Sequence, residues 1–205
     1  MRGTRLLAPL LALAVCACRA APDGSPFLSE TAVALDLPLV RQDELYGCGL
    51  AAVSALCQYW DVELPRDARA ELARRASDEK GLSGNELREA LDARGLETYL
   101  FPGTLDRGDT GIYRHIDLGR PLVVMVSPDG RAHHYCLVYG YDTARGNLIL
   151  LDPARGEVLR PIRTFEREWE ACRRFTLLAC SKNGDRKLPM GAGPAYGGGA
   201  PPEEK

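Results

Sequence analysis

Four apolar segments follow one another with only short polar turns between them: PLVVMV, HYCLVYGY, NLILLD and EVLRPI. Each is rich in the branched and aromatic residues that suit a pleated, half-buried surface, and the Gly, Asp and Asn between them supply turns. Strands in succession read as an antiparallel sheet. Upstream the pattern is helical. LAAVSALCQYW follows Gly47-Cys48-Gly49, RDARAELARRA follows the break at Leu64-Pro65, and NELREALDAR opens on a capping box formed by Ser83 and Glu86. That last helix stops at Gly95, a residue suited to the position just past a helix end. LDLPLV reads as extended and ETYLF as a strand, with a short helix near Tyr113 to Leu118. FEREWEAC reads as a closing helix before the strand FTLLAC. Helices first and sheet second predict an α+β fold rather than alternating α/β.

The chain has 205 residues, enough for one domain with a real core. Its net charge of −2 and the lack of a basic stripe interleaved with aromatics exclude a nucleic-acid binder. The N-terminus, MRGTRLLAPLLALAVCACRA, has a positive start at Arg2 and Arg5. An apolar run from Leu6 to Val15 follows, too short to span a bilayer and suited to a signal peptide. It resembles a bacterial lipobox, in which a small residue precedes the cysteine that becomes lipidated. Ala17 makes Cys18 the better match and Cys16 the second. Residues 1–18 are therefore expected to be a lipoprotein signal peptide, 19–33 a flexible tether and 34–181 the folded domain. The Gly-, Pro- and charge-rich segment 182–205 is expected to be a disordered tail. That organisation implies an exported protein, lipid-anchored at the cell envelope.

Cys48 is the first candidate for chemistry. A thiol becomes a strong nucleophile when ionised, and a helix N-terminus favours the thiolate through its dipole and unpaired N–H groups. Gly49 is expected to let substrate approach the backbone closely. Cys57 falls on the opposite face of the same helix and reads as core, as does Cys136 in mid-strand. Five cysteines remain beyond the signal, an odd number, so at least one thiol is free. A bridge between Cys172 and Cys180 stays open.

The base must be one of three histidines. His115 lies in a polar segment and reads as a surface residue. His133 and His134 are adjacent on a strand and face opposite sides, and alternation does not choose between them. Asp152, at a strand end before Pro153, is the candidate to orient the base, whereas Asp142 reads as a turn residue. The hairpin decides which histidine Asp152 meets. An even loop centred on Ala144-Arg145 sets Asp152 opposite Leu137, on the side of His133. An odd loop with Gly146 in a left-handed bulge sets it on the side of His134. Gln42, six residues before Cys48, and the Cys48 backbone N–H are candidate donors to an oxyanion. No paired His and Cys spacing of the usual zinc type is evident, and no metal or other cofactor is expected.

Taken together, VRQDELYGCGLAAVSAL, AHHYCLVYGYD and NLILLDPARG resemble the bacteriocin-processing, double-glycine leader peptidases of the papain-like cysteine peptidases. KGLSGNELREALDARGLE is similar to that family's middle helical region. FEREWEACRRFTLLA is similar to its closing helix and strand. The resemblance spans about residues 35 to 180. It implies Cys48 as nucleophile, His134 rather than His133 as base, Asp152 as its partner and Gln42 at the oxyanion hole. Hydrolysis of a peptide or protein substrate would follow. No ATPase or transporter domain accompanies these motifs, so the family's export role is not implied. A non-catalytic peptide-binding module of the same fold and a cell-wall amidase or transamidase are the alternatives.

Overall fold

The computed structural model describes residues 28–76 and 80–181. The expected signal peptide, Cys16 and Cys18, and the tail 182–205 lie outside the described residues. The elements run β1 (Val33–Ala34), α1 (Cys48–Tyr59), α2 (Arg66–Ala76), α3 (Gly84–Asp92), β2 (Leu96–Pro102), α4 (Ile112–Asp117), β3 (Leu122–Val126), β4 (His134–Asp142), β5 (Asn147–Asp152), β6 (Gly156–Pro161), α5 (Ile162–Glu170) and β7 (Phe175–Ser181). Seven strands form one sheet in the order β2-β7-β3-β4-β5-β6, every pair antiparallel, with β1 pairing β4. The α+β expectation holds. Among the described residues no helix is long and apolar enough to cross a membrane.

Helix α1 is buried along its whole length except at Leu50 and Gln58. Small residues on it (Ala51, Ala52, Ala55) let it lie close against β4 and α3. Its C-terminal end is pinned by two buried side chains. Tyr59 Oη donates to the Gly119 carbonyl at 2.9 Å, and Trp60 Nε1 donates to the Ala179 carbonyl at 3.0 Å. Helix α3 begins as expected: Ser83 Oγ accepts from Glu86 N–H while the Glu86 carboxylate accepts from Ser83 N–H at 2.8 Å.

The β4–β5 hairpin sets the register of the site. Asp142 faces Asn147 across the loop 143–146, which is the even arrangement. Carried on unbroken, that register would place Asp152 opposite Leu137. A bulge at Tyr139 intervenes, so that Val138 faces Leu150 and Leu137 faces Leu151. One step further, Asp152 falls opposite Cys136, on the face that also carries His134. Glycine at 140 is required beside the bulge. A Cβ there would sit 2.5 Å from the Val33 carbonyl oxygen and 3.0 Å from Ala34 Cα, where β1 crosses.

The expected tether 19–33 extends into the described residues, and there the chain is held to the domain. Ser29 donates to the Asp142 carboxylate through both its N–H and its Oγ, each at 2.7 Å. Val33 and Ala34 pair with Tyr141 and Gly140. Asp142 also accepts from Arg145 N–H at 3.2 Å, so it is a turn residue that anchors the N-terminal segment as well.

Candidate active site

Cys48 is the first residue of α1 and only 8% exposed. Burial disfavours its thiolate most strongly. Hydrogen bonds from His134 and from the Tyr135 and Gly49 backbone N–H groups outweigh that, together with the charge on His134, and the thiol lies below its ordinary range. Cys57 on the same helix is the contrast: burial alone dominates and pushes it up to about 11.

His134 begins β4 and stands between two partners. Its Nε2 is 2.8 Å from Asp152 Oδ1, and it lines one cleft with Cys48, whose thiolate it favours. Burial opposes the imidazolium, but the bonds to Asp152, Cys136 and Cys48 hold His134 well above the usual histidine range. Asp152 is 5% exposed and its carboxyl is held low despite burial, by His134 and by Ala154 N–H, which donates to Oδ1 at 2.9 Å. Cys48 and His134 thus lie in one cleft, with Asp152 bonded to His134. His133 is exposed and lines the same cleft. A cleft of about 470 Å³ opens over Cys48, walled by Leu45, Tyr46, Leu82, Glu86, Met125 and Tyr135.

Several expectations are corrected. Gly49 does not serve substrate approach, because it is buried and a Cβ on it would meet Leu87 and Leu82 at 3.1 and 3.2 Å. Its role is to let α1 pack against α3. His115 is not a surface residue. It is 5% exposed, tilted against Phe101, with Nε2 3.1 Å from the Asp109 carbonyl and burial lowering its pKa. The Gln42 amide is engaged by its own loop. Nε2 donates to the Glu44 and Leu45 carbonyls at 2.9 and 3.3 Å, and Oε1 is buried without a partner. Cys172 and Cys180 are separate free thiols. Cys136 is buried, as expected of core, yet it also touches the His134 ring. The signal for that contact is in the sequence: His-x-Cys on a strand puts both side chains on one face.

Residues 36–183 match the family model described as the Peptidase C39 family. The chain belongs to the Peptidase C39 family. As a C39 member it is a papain-like cysteine peptidase, hence a hydrolase, with its helical part first and its antiparallel sheet second. It is 24% identical over 132 residues to the "Lactococcin-G-processing and transport ATP-binding protein LagD" of Lactococcus lactis subsp. lactis. The match covers 64% of this chain and only 17% of that relative's length. Among solved structures, its fold is similar to that of a C39-like peptidase from Bacillus anthracis (TM-score 0.60, 13% identity, 73% of this chain and 98% of that one). It is also similar to the peptidase domain of Streptococcus ComA, a bi-functional ABC transporter involved in quorum sensing (TM-score 0.57, 22% identity, 70% and 98% covered). A third is the double glycine motif protease from an AMS/PCAT transporter in complex with the leader peptide (TM-score 0.55, 17% identity, 71% and 92% covered).

Proposed function

We propose that this C39 peptidase cleaves peptide bonds with Cys48 as nucleophile, His134 as general acid and base, and Asp152 holding the imidazole. The observation that carries this reading is His134 bonded to the Asp152 carboxylate and sharing an open cleft with Cys48. The depressed thiol and raised imidazole favour a resting thiolate–imidazolium pair. The thiolate attacks the substrate carbonyl, and the amine leaves with the proton held by His134. Water then opens the thioester with His134 as base. The Cys48 N–H, one of the donors a helix's first turn leaves unpaired, faces the developing oxyanion. Gln42 is the second donor. Its bond to the Leu45 carbonyl, the longer of its two, is exchanged for a stronger charge-assisted one to the oxyanion.

The domain works at the cell envelope in this reading, held by a lipid on Cys18. That part rests on the N-terminal sequence. The test of the chemistry is a peptide library digested by the full chain, with products weighed. Cys48→Ala is expected to abolish both cleavage and labelling by thiol-directed peptide probes. Labelling that persists on Cys57 or Cys136 in the variant would overturn the assignment. Products lacking a newly hydrolysed peptide bond would point to amidase or transamidase chemistry instead.

A further inference from the structure

Behind the nucleophile lies a second thiol that the peptidase reading does not use. Cys136 is two residues from His134 on β4 and directly across from Asp152 on β5. His134, Cys136 and Asp152 each offer one ligand atom, and the three atoms lie within 4.8 Å of one another. We infer that His134 Nε2, the Cys136 thiolate and the Asp152 carboxylate form a site for a thiophilic divalent cation such as Zn²⁺, whose capture switches the peptidase off.

The chemistry of the set supports this. Nitrogen, sulfur and one carboxylate oxygen are borderline-soft ligands that suit zinc and not magnesium or calcium. Bond lengths of about 2.0 to 2.3 Å put tetrahedral ligands about 3.5 Å apart. The separations present straddle that figure, from 2.8 Å between His134 and Asp152 up to 4.8 Å at the widest. Small side-chain rotations bring all three into range. A water completes the fourth position.

The proton balance explains the inhibition. Metal binding expels the proton shared between His134 Nε2 and Asp152, and the proton of the Cys136 thiol; both go to solvent. The imidazole keeps only its other ring proton, fixed toward Cys48. It can no longer take up and give back a proton while Asp152 steadies it. The second thiol is what separates this site from the catalytic line itself: without Cys136, only His134 and Asp152 remain, too few ligands for tight binding.

The inhibitory consequence rests on the catalytic reading above, but the binding does not, and the two are measured apart. Binding is read by titrating Zn²⁺ calorimetrically, and Cd²⁺ by its thiolate charge-transfer absorption, into the full chain carrying Cys48→Ala. That variant is expected to bind one ion. Adding Cys136→Ala should weaken binding about 100-fold or more and remove the absorption, since even outer-shell partners of a metal are worth 10- to 100-fold. Cys136→Val gives the same readout should the alanine variant fold poorly. Cys16, Cys18, Cys57, Cys172 and Cys180 remain in every variant and contribute an equal background. In the peptidase assay, Zn²⁺ should abolish cleavage and a chelator restore it, with the Cys136 variant about 100-fold less sensitive, whatever its own rate. Cys48→Ala failing to bind, or the double variant binding equally well, would overturn the proposal. So would unaltered zinc sensitivity on loss of Cys136.

Discussion

Replacing Asp152 by Asn tests the charge behind His134 with almost no change of shape. Both hydrogen bonds to this side chain, from His134 and from Ala154, use Oδ1, at 2.8 and 2.9 Å. An asparagine in the same pose keeps both and turns its amide toward the position of Oδ2. That atom lies 3.9 Å from the exposed Arg155 guanidinium. What disappears is the negative charge. Coulomb's law at 2.8 Å and an effective dielectric of about 20 gives about 6 kcal/mol as a ceiling. His134 is partly open to water, so the smaller difference between a charged and a neutral hydrogen bond is the better guide, about 1.5 kcal/mol. That equals about one pKa unit. The sign follows from the direction of the shift: Asp152 raises the His134 pKa, so its neutralisation lowers it. The imidazolium, and with it the active ion pair, is then lost at a pH about one unit lower as pH rises. The acid limb should move upward by less, because Asp152 acts on Cys48 only through His134. The pH profile of kcat/KM for peptide cleavage reads both limbs. An upper limb that stays put, or moves to higher pH, refutes the chain of reasoning from Asp152 through His134 to the thiol.

Gly140→Ala is expected to cost about 1–3 kcal/mol by overpacking, because the new methyl group meets the backbone of β1 as well as the Ile149 side chain. Thermal unfolding should report it as a drop of several degrees, and an unchanged midpoint would show that β1 gives way freely. Asp142 is fully buried, yet its carboxyl is held below the usual range: burial pushes it up, and the bonds from Ser29 and Arg145 more than reverse this. Its contribution is present above the unfolded carboxyl pKa of about 3.9 and is lost as pH falls through the lower folded value. Ser29→Ala should destabilise the domain by about 1–2 kcal/mol at neutral pH. The difference from wild type should shrink in acid; a pH-independent difference would show that the charge is not involved.

Much of the fold is legible in the sequence because it is local. The capping box of Ser83 and Glu86 fixes the start of α3. The alternation of apolar strands with turn residues fixes the sheet. Cys48 can be read as a helix-start thiol before any partner is known. The pairing of Asp152 with His134 is not legible in that way. The loop 143–146 alone predicts the wrong histidine, and the outcome turns on a single extra residue, Tyr139, whose only local mark is the glycine after it. The burial of His115 and the packing role of Gly49 are tertiary effects, set by Phe101 and by α3 and written in no neighbouring residue. Gln42 sits in a loop whose carbonyls compete for its amide, a contest that spacing from Cys48 does not reveal.

The separation of the two halves of the site also bears on when the site exists at all. His134 and Asp152 belong to adjacent strands of one hairpin, so they can meet as soon as that hairpin forms. Cys48 is joined to them only when α1, from the far side of the helical region, docks onto β4. Contacts of such long sequence separation carry the larger loop-closure cost and form late in folding. Until then the chain has a base with its orienting acid but lacks Cys48, and the peptidase site is incomplete. The order of assembly thus withholds the nucleophile from its base until α1 has docked.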